Sequence, residues 1–194
     1  TKDPKEEDVK TQDDSGFHRK SISINNFELE TLKKGNMVSD AVINASFRYF
    51  YNEIDHVNIG FTNTFFYKKL ERDGVKAVSE WIQLKGKIDT YSHYLIPIAM
   101  YVHWFLVDLD FNNRMINIYD SLRSHPPRDK VVKNIRQFLE YNGIKYRMKV
   151  RYPPGPKQCN SVDCGVYVIR FALCIFLHQT VVLDFFNKTS IFTY

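Results

Sequence analysis

One stretch constrains the fold more than any other. Gln158-Cys159-Asn160-Ser161-Val162-Asp163-Cys164-Gly165 is polar and turn-forming, and the apolar run Val166 to Leu177 follows it directly. Arg170 is the only charge in that run. A segment apolar almost all round must be buried on every side, so the pattern predicts a core helix that starts from a polar turn. Asp163 is placed to cap it, its side chain accepting from the free N–H groups of the first turn. Cys164 would then open the helix, where the positive end of the helix dipole favours thiolate. Taken alone, Cys164 is better read as a packing residue, because free cysteine is among the most buried residue types.

The run is also too short for a membrane span. No apolar stretch in the chain reaches the roughly 18 residues a span requires, and no signal peptide is visible. A chain of 194 residues, 44% hydrophobic and 15% aromatic, is long and apolar enough for one globular domain with a core. Cys159, Cys164 and Cys174 are an odd set without paired or zinc-type spacing. They indicate an intracellular, reducing setting and no metal site.

Charge is uneven. Three lysines against six acids give residues 1–16 a net −3, which leaves +8 on the rest of a chain whose total is +5. A basic body suits an acidic partner, nucleic acid or protein, although a solvated lysine surface explains the charge as well. There is no dense basic block and no glycine-rich phosphate loop, so nucleic acid is not expected.

In chain order, residues 1–16 have Val9 as their one apolar residue and are expected to be a disordered lead-in. Residues 17–194 are expected to form a single domain. Ser21 to Ile24 alternates like a short edge strand. Phe27 to Leu32 reads as one or two helical turns. Ser39 caps a helix from Asp40 to Glu53, with Val42, Ile43, Phe47, Phe50 and Tyr51 on one face. Phe65 to Arg72, stopped at Asp73-Gly74, and Val75 to Leu84, stopped at Gly86, read as two more helices. Strands are expected at Tyr94–Met100, where Pro97 marks an edge or bulge, at His103–Asp110 and at Met115–Asp120, the last two joined by a turn at Asn112-Asn113. Arg128 to Tyr141 is an amphipathic helix ending before Gly143. Lys145 to Tyr152 alternates as a further strand, and Pro153-Pro154-Gly155-Pro156 makes a stiff loop up to Gln158.

A thiol-dependent hydrolase or transferase needs a thiolate, an imidazole to share its proton and a carboxylate to orient the imidazole. His103 opens one strand and Asp120 closes the next. Asp108 is the worse partner, because five positions along a strand put it on the opposite face from His103. Singly, His103 reads as a structural histidine and Asp120 as a turn carboxylate.

Taken together, His103-Trp104, Tyr119-Asp120-Ser121, and Gln158 followed by Ser161-Val162-Asp163-Cys164-Gly165 resemble the SUMO-specific (sentrin-specific, Ulp-type) cysteine proteases. Asp40-Ala41-Val42-Ile43-Asn44 is similar to that family's N-terminal helix. Phe61 to Leu70 and Ala77-Val78-Ser79-Glu80-Trp81 resemble its next segments. The resemblance spans roughly residues 27–186, with the motifs in the family's order.

The resemblance implies an α+β, papain-like fold of the ubiquitin-like-protease type: a central mixed sheet flanked by helices, with the nucleophile at the N-terminus of a buried helix. It implies Cys164 as nucleophile, His103 as general base, Asp120 as its orienter, and Gln158 with the Cys164 backbone N–H as the oxyanion hole. Trp104 would wall a tunnel for the modifier's Gly-Gly tail. Met37, standing where many members carry a second tunnel tryptophan, would close its other side, with Asp40 also on the substrate side. The implied substrates are SUMO, or another ubiquitin-like modifier, and its lysine-conjugated target proteins. A monomer without cofactor or metal is expected, in the nucleus or cytoplasm, or in a host cell if the chain is a pathogen effector. The alternatives are a deubiquitinase, an acyltransferase on the same triad, and an inactive modifier-binding module. Cys159 and Cys174 are expected to be packing residues. The segment 144–157 is shorter than in many members, and the chain stops at Tyr194, about where the family's last helix would run, so the sequence is expected to be cut short there.

Overall fold

The computed structural model describes residues 23–55, 57–82, 88–122 and 128–178. The expected lead-in, Ser21 and Ile22, and the Gly86 helix stop lie outside them. Ser23 and Ile24 are not in a strand. Helix α1, Asn26–Glu30, is closed by a capping box in which Asn25 and Glu28 satisfy each other's backbone N–H groups. Helix α2, Asp40–Glu53, starts where Ser39 accepts from the Val42 N–H, and it buries Val42, Ile43, Phe47 and Phe50. Asn44 on α2 exchanges two hydrogen bonds with Thr64, of 2.9 and 3.0 Å, which ties the helix to the loop after strand β1, Ile59–Phe61. Helix α3, Phe66–Ile82, is the two expected helices run together across a break at Gly74.

Three antiparallel strands follow the expected order: β2 His93–Met100, β3 His103–Asp110 and β4 Met115–Tyr119. Helix α4 is Arg128–Tyr141, strand β5 Lys149–Arg151 and helix α5 Cys164–Phe176. The sheet order is β1-β2-β3-β4-β5, with the two outer pairings parallel and the inner two antiparallel. Strand β2, where Pro97 suggested an edge or bulge, is an inner strand, but β1 pairs with it only as far as Leu95. The Leu95 carbonyl faces β1 and accepts from Thr62. Two residues on, the Pro97 nitrogen faces the same side, beyond the end of β1, where a missing N–H costs nothing. The expected strand at 145–152 shortens to β5. Its alternation is real, with Tyr146, Met148 and Val150 turned inward, but only Lys149–Arg151 pairs with β4.

The two faces of the sheet carry separate cores. Phe66, Tyr67, Leu70 and Val78 of α3, with Val131, Ile135 and Phe138 of α4, cover Ile96, Phe105, Val107 and Ile118. On the other face α2 and α5 cover Leu95, Leu106 and Tyr119. Between sheet and α2, helix α5 is buried from Cys164 through Phe176 at all but Tyr167 and Leu173. Its apolar circumference requires such burial. Among the described residues no helix is long and apolar enough to cross a membrane.

Gly74 has φ 81° and ψ 177°, a conformation open essentially to glycine alone, and a Cβ there would touch nothing within 4 Å. The loss from Gly74→Ala is therefore backbone strain only. It is expected to lower stability by about 1–3 kcal/mol in chemical denaturation, with the slope of the transition unchanged.

Candidate active site

His103 is the first residue of β3, and Asp120 follows the last residue of β4. The register pairs Leu106 with Tyr119, so Asp120 continues opposite Phe105 and lies one diagonal step from His103 on the same face. His103 Nε2 and Asp120 Oδ1 are 2.8 Å apart, with side chains 12% and 3% exposed. The same oxygen accepts from the Leu122 N–H at 3.0 Å, which fixes the carboxylate. The other imidazole nitrogen, Nδ1, is buried without a hydrogen-bond partner.

Cys164 opens α5 and is 1% exposed. Burial alone would push the His103 imidazole down. The Asp120 carboxylate and the Cys164 sulfur outweigh it, and His103 is pushed up to about 9. Burial would likewise push the thiol up. The imidazole and the backbone N–H groups of Trp104 and Gly165 outweigh that and hold Cys164 below the usual thiol range. Each group therefore favours the charged form of the other.

Gln158 is 7% exposed. Its backbone N–H donates to the Ser121 carbonyl at 3.1 Å. Its side-chain oxygen accepts from the Ser121 hydroxyl at 2.5 Å, and its Nε2 donates to the Asn160 carbonyl at 2.6 Å. Asn160 also shapes the turn, its Oδ1 accepting from Val162 and Asp163 N–H groups at 3.0 Å each. It corrects one expectation. Asp163 lies in the helical region and makes no side-chain cap bond; its Oδ2 accepts from Asn160 Nδ2 at 2.7 Å instead. A second correction concerns Cys159, which is exposed rather than packed: with Gln158 turned inward, its neighbour turns out. Cys174 is buried as expected.

Trp104, on the opposite face of β3 from His103, packs against the α2–α5 core. A Cβ on Gly165 would stand 2.9 Å from the Val38 Cβ, too close for any residue but glycine, and at an ordinary contact distance of 3.5 Å from Trp104 Cδ1. Met37 is half-buried beside Val38, and Asp40 is half-buried as the first residue of α2. Asp108 is 1% exposed and serves elsewhere, bonding His93 Nδ1 and Asn117 Nδ2 at 2.9 Å each. The structure thus gathers His103, Asp120, Cys164 and Trp104 at the β3–α5 junction, links Gln158 to that end of β4 through Ser121, and sets Met37 next to the residue that meets Gly165. Ser121, Asn160 and Leu122 are supporting groups without a role in the sequence reading. Ser121 stood there only as a motif letter, and nothing in its spacing to Gln158 announces a contact across 37 positions.

A thiol, an imidazole and a carboxylate gathered at one end of a sheet are the groups a thiol-dependent hydrolase or transferase needs. Residues 36–190 match the Ulp1 protease family, C-terminal catalytic domain, and the chain belongs to that family. It is 31% identical over 163 residues to human (Homo sapiens) Sentrin-specific protease 5, covering 78% of this chain and 21% of that protein. It is 29% identical to human Sentrin-specific protease 3, covering 78% and 27%. The chain thus spans about a fifth to a quarter of the length of these relatives. Its fold is that of the C-terminal Ulp1 protease domain solved in complex with Smt3, the yeast ortholog of SUMO, with a TM-score of 0.72 at 24% identity over 82% of this chain and 75% of that one.

The charge state of the pair is directly testable by iodoacetamide alkylation of Cys164 in a Cys159→Ser background. Because the thiol is lowered from 9.0 and the imidazole raised, the thiolate–imidazolium form spans the interval between the two. Alkylation should stay fast as the pH falls below 9.0 and drop only when the thiolate is protonated at its lowered value. His103→Ala should move the whole profile upward, since only the backbone N–H groups of Trp104 and Gly165 then oppose burial.

Proposed function

We propose that this chain is the catalytic domain of a cysteine protease that cuts after the C-terminal Gly-Gly of a ubiquitin-like modifier of the SUMO type, in precursor maturation or in release from a target lysine. The observation that carries the reading is the 2.8 Å contact of His103 Nε2 with Asp120, which leaves Nδ1 to the thiol at the start of a buried helix. The Cys164 thiolate attacks the terminal glycine carbonyl. The oxyanion is held by the second Nε2 hydrogen of Gln158 and the Cys164 backbone N–H. His103 Nδ1–H protonates the departing amine, leaving a thioester. Water, deprotonated by the neutral imidazole, attacks the thioester and releases the modifier's carboxylate and the free thiol. Asp120 holds the imidazole in the tautomer and orientation that this requires. No step calls for a cofactor.

Trp104 and Met37 wall the passage for the tail, and Asp40 lies on the rim. The meeting of Val38, Trp104 and Gly165 supports this placement, since it narrows the approach to Cys164 between the segment 36–39 and β3. A tail without side chains fits there, and the basic body favours an acidic modifier surface. Three free cysteines suit a reducing compartment, the nucleus or cytoplasm.

Modifier probes with a C-terminal thiol-reactive group provide the test. Wild type should be captured covalently by the SUMO probe, Cys164→Ala should not, and Cys164→Ala should still bind unmodified SUMO. Capture by a ubiquitin probe alone would transfer the reading to ubiquitin, and capture by neither would end it. Met37→Trp addresses the passage. A thioether changes rotamer at little cost where an indole does not, so this substitution should sharpen rejection of a Gly→Ala tail. An unchanged Gly/Ala ratio of kcat/KM would remove Met37 from the tunnel.

A further inference from the structure

We propose that Ser121 is a positioning residue for the oxyanion hole, acting through Gln158. The inference rests on the protease reading and assigns a task to a residue that touches neither thiol nor imidazole. The terminal torsion of a glutamine is broad and two-fold, so an unsupported amide can turn either its NH2 or its oxygen toward the reacting carbonyl. An oxygen presented to a developing oxyanion repels it. Two contacts remove the ambiguity. A backbone carbonyl only accepts, so the 2.6 Å contact with the Asn160 carbonyl requires the NH2 group at that end. The Ser121 hydroxyl must then donate to Oε1, at 2.5 Å. One Nε2 hydrogen is used by Asn160, and the second remains for substrate.

Ser121 is 1% exposed, so this hydroxyl has no water to exchange with. Its carbonyl also accepts from the Gln158 backbone N–H, so one residue anchors both main chain and side chain of the glutamine. The residue before it, Asp120, holds His103. A single turn after β4 thereby aligns the proton-transfer side of the site and the oxyanion side. A hydroxyl kept merely to satisfy a buried polar group would not need a second bond to the same partner's main chain.

The experiment is a double-mutant cycle on turnover of a modifier precursor. Gln158→Ala should lower kcat by about 10²-fold, as loss of one oxyanion donor does. Ser121→Ala should lower kcat by roughly 10-fold with KM nearly unchanged, since the amide is then misaligned for part of the time rather than removed. The double variant should be no slower than Gln158→Ala alone. The pH profile of Cys164 alkylation should not move in Ser121→Ala, because the imidazole side is untouched. Additive losses in the cycle, a loss confined to KM, or an unaltered kcat would overturn the assignment. Should Ser121→Ala not fold, Ser121→Cys, a weaker donor of similar size, takes its place in the same cycle with the same criteria. Absence of turnover in wild type on every modifier tested would instead overturn the protease reading itself.

Discussion

The approach of the first turn of α5 to the first residues of β3 is the constraint on which the rest depends. Helix α5 is apolar nearly all round, so it has to sit between sheet and α2. Gly165 lets Val38 close in on its first turn, beside Trp104. Core packing thus brings Cys164 close enough to His103, and to the backbone of Trp104, for both to favour its thiolate. The site is therefore as rigid as the core that makes it, which is what reactive groups held to within fractions of an ångström require.

Electrostatically the site works against its own burial. Desolvation is the largest single influence on both His103 and Cys164, and on both it opposes charge. What reverses it is the Asp120 carboxylate on the imidazole, the mutual pull of imidazole and thiol, and the backbone N–H groups of Trp104 and Gly165 acting on the thiolate. Charges paired at this depth add little net stability. The arrangement is better understood as preorganisation for chemistry, obtained by short local bonds from residues already fixed in strands and turns.

Much of this was legible in the sequence, for reasons that differ by element. Helix α2, helix α4 and strand β3 carry strong periodicity and clear end signals, and their limits match the expected ones. Strand β1 was not anticipated: three residues carry no period, and its parallel partner β2 begins more than thirty positions later. The motifs that resemble the protease family named His103, Asp120, Gln158 and Cys164 because their order along the chain is unusual. The orientation of single side chains was out of reach. Whether Asp163 capped the helix depended on Asn160 claiming its carboxylate, and whether Cys159 packed depended on Gln158 turning inward. Both are decided by tertiary contacts that no local pattern encodes.

A second histidine–carboxylate pair in the same sheet makes clear what defines the site. His93 and Asp108 meet at 2.9 Å, close to the 2.8 Å of His103 and Asp120, and the imidazole is raised in both pairs. The difference lies in what surrounds them. Asp108 spends its other oxygen on Asn117, and the charges acting on His93 are Asp108 and Asp110, with no thiol among them. His93 also meets its carboxylate through Nδ1, whereas His103 does so through Nε2 and keeps Nδ1 open. The first pair joins β2 to β3 and, through Asn117, to β4; it holds strands together. The second has one nitrogen bonded for orientation and the other left beside a sulfur at a helix N-terminus. A short histidine–carboxylate distance is thus common to a structural tie and to the pair proposed as reactive, and the nitrogen left over is what separates them.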